Sequence, residues 1–535
     1  MAIDRWNPRQ TCTKQEEFIL GRLARNGRLF AFLRLYRHEL FDEAFQAELE
    51  SMYRDTGAGR EPKPPSLLAM VLLLQAYHGA SDASAVNLAL FDLRWQMVLD
   101  CLGATEPVFS QGVLVDFRDR LIEKGLDRRI LERTVELART TKAFDPKKLP
   151  KTLRVAVDSC PLEGAGRVED TINLLAHAGR NIVACVAGLL EWPKERVCRE
   201  AGIPLLLESS VKKALDLDWS DPDEKAKAIP MLLDQLAHLD LWVTLRLPEA
   251  VKGPPLKEHV DTLHQIVKQD LEPDPSGNGP RIRDGVAEDR RVSIEDKEMR
   301  HGRKSKSKLF NGYKRHIAMD LDTRLVLACA VLPANCPEQD ALADLATDVE
   351  RFGRKIDELN TDRGYIGAPH IEEILARGGN VVCRPFVARN GELFPKNDFP
   401  INMRDRTITC PAGEKQRFSL GTVVEFPPEA CDKCPLRAKC TEARLGRGRT
   451  ISIAKNEPLQ QRLARRAATP SGRRKLRERI PIEHRQSHGA RRQGRRAKFI
   501  GARKNLFDYR RASAIGNLEA IQRSTVVEVV QKAAA

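Results

Sequence analysis

At 535 residues the chain is too long for one core, and two to four domains are expected. Its 42% hydrophobic and 30% charged content excludes wholesale disorder. No apolar run approaches the ~20 residues that span a bilayer; the longest, around Ala69 to Ala76, reads as a short core helix. The start, Met1-Ala2-Ile3-Asp4-Arg5, lacks the apolar segment of a secretory signal, so a cytoplasmic, nucleoid-associated location is expected. In that setting the twelve cysteines are expected reduced or metal-bound.

Residues 1–145 read as helical. Ser66 is a candidate N-cap for Leu67 to Tyr77 after Pro64-Pro65. Ser81 to Leu99 continues at helical spacing. Ser110 is placed to cap a helix with Val113, Phe117 and Leu121 on one face and Arg118, Asp119 and Arg120 off it. Such a module suits DNA docking and suits a packed bundle with no ligand about equally.

At Leu153 the pattern changes to a short β-branched run, Leu153-Arg154-Val155-Ala156-Val157-Asp158, which predicts a strand ending in a carboxylate. Residues 167–300 revert to helix and loop. Leu309 to Met319 and Leu325 to Leu332 then flank Asp320-Leu321-Asp322-Thr323-Arg324, an antiparallel hairpin. Asp320 and Asp322 are read as turn residues in preference to metal ligands. Lys314 and His316 share one face of the first hairpin strand, His316 being read as structural in preference to a DNA contact. A helix over Glu338 to Phe352, a strand into Asp362, a helix over 368–377 and a strand over 380–384 follow. The order predicts a mixed α/β sheet with Asp158 and Asp362 on neighbouring strands.

Cys410, Cys431, Cys434 and Cys440 are separated by 20, two and five residues, and read as a structural zinc site of four thiolates. Free thiols, an iron–sulfur cluster or a disulfide are the alternatives. The net charge of +15 is uneven: Arg473 to Arg511 holds fifteen Lys or Arg against three acids, so +12 falls in 39 residues. Phosphate backbone is the expected partner of that block, the alternative being a solvated basic tail. Within the block lies Glu483, the third of three carboxylates, with Asp158 and Asp362, whose local contexts suit a shared two-metal site.

Several stretches together resemble a DDE-type transposase of a bacterial insertion sequence. They are Val155 to Asp158, Gly312-Tyr313-Lys314-Arg315-His316 with Asp320, and Asn360-Thr361-Asp362-Arg363-Gly364-Tyr365. Arg479-Ile480-Pro481-Ile482-Glu483-His484 and Gly494 to Asp508, followed by Ala514 to Leu518, complete the match. The resemblance implies a ribonuclease-H-like mixed five-stranded sheet with flanking helices over 149–394 and 455–535, carrying a mostly helical insertion at about 167–300. It also implies a helical DNA-binding or assembly domain at 1–148 and a cysteine-rich zinc-knuckle insert at 395–454. The implied activity is cleavage of insertion-sequence ends and joining to target DNA, by two-metal hydrolysis and transesterification. The implied cofactors are two Mg²⁺ or Mn²⁺ per site, with Asp158 bridging both and Asp362 and Glu483 each holding one. Arg479, Arg491, Arg492, Arg495, Arg496, Lys498, Arg503 and Lys504 are the implied DNA contacts, and a homodimer or larger assembly on double-stranded DNA the implied partner state, with no membrane.

The chain departs from that pattern where Leu476 and Ala490 replace a Tyr and a Lys, Arg491 and Arg492 standing beside the latter. Pro481 implies a kink or a helix that begins there, with Glu483 in its first turn. Rival readings are a catalytically impaired zinc-stabilised DNA-binding protein and a host nuclease on the same fold.

Overall fold

The strand around Asp158, β1 (Leu153–Glu163), organises the molecule, and it runs well past that residue instead of ending at it. A computed structural model of the chain describes residues 4–23, 27–53, 61–144, 151–275, 279–305 and 307–532. The further strands of the main sheet are β2 (Arg300–Arg303), β3 (Leu309–Asp320), β4 (Val326–Pro333), β5 (Ile356–Asn360) and β6 (Asn380–Val382). Their order is β2-β3-β1-β5-β6, with β4 also paired to β3. Gly312 of β3 pairs with both Glu163 of β1 and Arg300 of β2, so β2 shares the β4 edge. The sheet therefore has five positions, as expected, with β2 as an added sixth strand.

β3 lies antiparallel between β1 and β4, whereas β5 and β6 run parallel to β1. This is the ribonuclease-H-like arrangement. Its middle is apolar on both faces: Val155, Ala156, Val157, Ile317, Ala318 and Leu359 are all buried, as a sheet covered by helices requires. The β3–β4 turn is closed by Asp320, whose carboxylate accepts from the amides of Asp322 and Thr323 and from the Thr323 hydroxyl. Turn chemistry accounts for that residue.

Pairing of β1 with β5 stops at Ala156↔Asn360. Beyond it the two strands diverge, and Ser159-Cys160-Pro161, past the expected strand end at Asp158, stay in the sheet through β3 alone. Pro161 is tolerated there because the strand needs no amide hydrogen on its open side. That opening puts Asp158 and Asp362 at the head of a cleft.

The C-terminal helix (Ala502–Lys532) packs against β4 on one side and against the Asp127–Thr140 and Pro65–His78 helices on the other. One continuous core consequently runs from the N-terminal helices into the sheet. Ser66 is no N-cap: the helix begins at Pro65, and the Ser66 hydroxyl donates to Gln46 Oε1 instead. Ser110 does cap, accepting from the Val113 amide. Arg118 is buried in that helix and paired bidentately with Asp82, not turned out to solvent.

The insertion has a core of its own, built from helices Thr171–Leu190, Pro222–Arg246 and Leu256–Asp270. By length and composition the Thr171–Leu190 helix could cross a membrane, an apolar stretch longer than the sequence reading allowed; over half of it is buried in this core. The Cys-bearing segment likewise has a small separate core around Phe399, Ile408, Phe426 and Ile451.

Candidate active site

Asp158, Asp362 and Glu483 line one open cavity of about 570 Å³. Each arrives by a different route. Asp158 sits where β1 loses its β5 neighbour. Asp362 lies two residues beyond β5 and opens a short 3-10 turn, its Oδ1 accepting from the Gly364 amide at 3.0 Å. Glu483 stands in the first turn of the Ile480–Gln493 helix, where Pro481 occupies the tolerated N-terminal position. That helix is anchored by Ile482, fully buried, and by Gln486, which donates to the Arg315 carbonyl of β3.

Arg479 joins the carboxylates. Its Nη2 lies 2.5 Å from Asp158 Oδ1 and its Nη1 3.7 Å from Glu483 Oε1. Asp158 is largely shielded from solvent, whereas Glu483 keeps 63% of its side chain exposed. Burial pushes the Asp158 carboxyl up to about 6; the Arg479 charge opposes this, while Asp362 and Glu483 add to it. An oxygen-only donor set with too little positive charge among it is the environment a hard divalent cation relieves. Among the described residues, no three His, Cys, Asp or Glu side chains are arranged to hold a metal as the structure stands. At Asp158 the guanidinium of Arg479 takes the place of a cation.

A fourth carboxylate in the cavity was not foreseen. Glu338 Oε1 accepts from the Ser159 hydroxyl, and its carboxyl is raised chiefly by burial, with the Asp362 charge adding to it. It stands in a short 3-10 turn after β4. In sequence it is indistinguishable from any acid in the first turn of a helix. Lys314 also lines the cavity and donates to the Cys336 carbonyl. His316, one strand pair away, is fully buried with its Nδ1 2.7 Å from the Tyr365 hydroxyl.

Of the eight basic residues expected at DNA, only Arg479 lines the cavity. Arg491 is exposed on its helix. Arg492 pairs with Glu519 and covers the Tyr77 ring. Arg495 pairs with Glu163 while remaining 86% exposed, and Arg496 donates to the Gly164 and Ala165 carbonyls. Lys498 approaches Asp508 at 3.9 Å, Lys504 pairs with Asp119 at 3.1 Å, and Arg503 pairs with the buried Asp127. Much of the basic block thus holds the C-terminal segment to the rest of the chain.

Cys410, Cys431, Cys434 and Cys440 line a common small cavity, and Cys410 Sγ accepts from the Glu414 amide. Burial and the three neighbouring sulfurs push the Cys440 thiol up.

Residues 285–499 match the family model described as transposase DDE domain, and residues 26–120 match that described as transposase domain (DUF772). The first match begins beyond β1, so Asp158 lies outside it, while Asp362 and Glu483 lie inside. No curated protein and no solved structure is significantly similar to the chain.

Proposed function

On the footing that this chain is a DDE-type transposase of an insertion sequence, we propose that it cleaves the ends of its element and joins them to target DNA. The observation that carries this reading is that three carboxylates from distant segments line one cavity with Arg479 between them. Asp158, Asp362 and Glu483, which line one cavity, would be the residues that hold divalent metal. Divalent metal held by these carboxylates would supply activation of a water or 3′-hydroxyl nucleophile and charge stabilisation at the leaving oxygen, so no side-chain nucleophile is required.

The protein's own part is positional. Asp158 is fixed by the β1–β3 pairing and Asp362 by the Gly364 amide, so both carboxylates are set before substrate arrives. Arg479, which bridges Asp158 and Glu483, presents a guanidinium fork that would suit bidentate contact with a phosphate, a geometry that Lys would not reproduce. Glu338, held by Ser159, stands near enough to Asp362 to feel its charge and would add to the pull on a divalent cation. The chain works on double-stranded DNA as a homodimer or larger assembly, since two element ends are handled together. The four cysteines would hold a structural zinc ion; thiols gathered at one cavity suit a soft ligand set.

The test is strand cleavage of a duplex carrying the element ends, with and without Mg²⁺. Wild type cuts only with metal, and Asp158→Asn, Asp362→Asn and Glu483→Gln each abolish cutting while still binding DNA. Equal cleavage by wild type and these variants overturns the carboxylate assignment.

A further inference from the structure

Four carboxylates line the cavity, Asp158, Glu338, Asp362 and Glu483, against two cations already engaged: Arg479 on Asp158 and Lys314 on the Cys336 carbonyl. Without divalent metal, the state in which binding is measured, a phosphodiester entering this cavity meets net negative charge unless free cations stand at its rim. Beyond Arg479, no basic residue of the C-terminal block lines the cavity, and Arg492, Arg503 and Lys504 are held in internal ion pairs.

The rim cations come from the β2–β3 hairpin. Arg303 and Lys304 line the same cavity, are both exposed, and among the described residues neither is in an ion pair. Arg300, at the base of the same strand, pairs instead with Asp289. The base is rigid. A Cβ on Gly302 would lie 2.5 Å from the Ala334 carbonyl oxygen, and one on Gly312 2.2 Å from that of Leu162, so the backbones touch. Gly312 also has φ 148°, a conformation that other residues rarely adopt. The tip is closed by the Lys304 amide donating to the Lys308 carbonyl at 2.8 Å. A stiff ribbon therefore carries two unneutralised cations to the mouth of an acidic cleft whose other wall is the Glu483 helix.

We propose that Arg303 and Lys304 clamp the phosphate backbone of the DNA strand being cut, holding it against the carboxylates. This rests on the reading of the cavity as a DNA-cleaving site. Each cation neutralises one phosphate, so removing both lowers the slope of log affinity against log salt by about 1.8. It removes no base contact, so the loss is the same for every duplex sequence.

The experiment compares wild type, Arg303→Ala/Lys304→Ala, the charge-keeping Arg303→Lys/Lys304→Arg, and a control, Lys194→Ala/Arg199→Ala, that removes two exposed cations from the insertion. Anisotropy of a labelled duplex is followed across salt, without Mg²⁺, and thermal melting checks the fold. The expected result is an affinity loss of about tenfold or more at moderate salt and the smaller slope in the first double variant only, with the charge-keeping variant restored. An unchanged slope, or an equal fall in the control, overturns the clamp. Cleavage is measured separately with Mg²⁺. A wild type that binds with the expected slope difference but never cuts refutes the cleaving function and leaves the phosphate contact standing. A wild type that cuts with no slope difference refutes the clamp alone.

Discussion

Gly364 is where the carboxylate cluster leaves least room. A Cβ built there would lie 2.0 Å from Glu338 Oε2 and 3.2 Å from Asp362 Oδ1. The yielding atom is the end of a flexible side chain, so Gly364→Ala should hardly change the melting temperature. It should nevertheless push the Glu338 carboxylate away from Asp362, and misplacements of this size cost roughly ten- to a hundredfold in rate. Single-turnover cleavage checks this, with Glu338→Gln expected to show a similar loss; a Gly364→Ala enzyme as fast as wild type would remove Glu338 from the site. His316 supplies a prediction of the other kind. Burial drives its imidazole from the usual 6.5 down to about 3, so the folded protein keeps it neutral. Between those limits the unfolded chain carries the extra proton, so stability is lost as pH falls through this window, by up to about 1.4 kcal/mol per pH unit. Chemical denaturation from pH 7 to pH 4 should therefore show a flatter decline in His316→Gln than in wild type. Parallel declines would mean that the ring is solvated.

At the scale of elements, Asn517 ties three pieces together. Its Oδ1 accepts from the Val326 amide, and its Nδ2 donates both to the Val326 carbonyl and to Thr134 Oγ1. The buried side chain thereby links β4, the C-terminal helix and the Asp127–Thr140 helix. Asn517→Leu leaves both Val326 backbone groups without partners away from water, at a cost of about 2–4 kcal/mol. Urea unfolding measures it, and a change below about 0.5 kcal/mol would show that water replaces the side chain. Such links explain which elements could be read from sequence. The β3–β4 hairpin and the strand before Asp362 were legible because short apolar runs bounded by polar turn residues are local signals. The far half of β1 was not, since Ser159, Cys160 and Pro161 have loop chemistry and are held by pairing with β3, over 150 residues away. The basic block misled for a related reason. Asp127 and Glu519, which neutralise Arg503 and Arg492, are brought in by tertiary structure alone. Glu338 and the Arg303–Lys304 tip are active-site features only because of where β2, β3 and β4 end.

For the molecule as a whole, the separation of cores has consequences for how it opens. The N-terminal helices and the sheet share one core, whereas the insertion has another; the Glu169 amide, just before the insertion's first helix, donates to the carbonyl of Val292, whose side chain belongs to the first core. Inside the insertion, Gly179 permits the close approach of its first helix to Leu236 and Leu206; a Cβ there would lie 2.6 Å from Leu236 Cδ2. Leu236 is buried in that contact, so Leu236→Ala opens a cavity costing about 2–5 kcal/mol. If the two cores open independently, that loss falls on the insertion alone. Native-state hydrogen exchange of the intact chain should then speed up by roughly thirtyfold or more in the Thr171–Leu190 and Leu256–Asp270 helices. Protection in β1, β3 and β4, and with it the seating of Asp158, should stay at the wild-type level. An equal rise in those strands would mean that the insertion and the catalytic sheet unfold as one unit, and that the insertion supports the site from a distance.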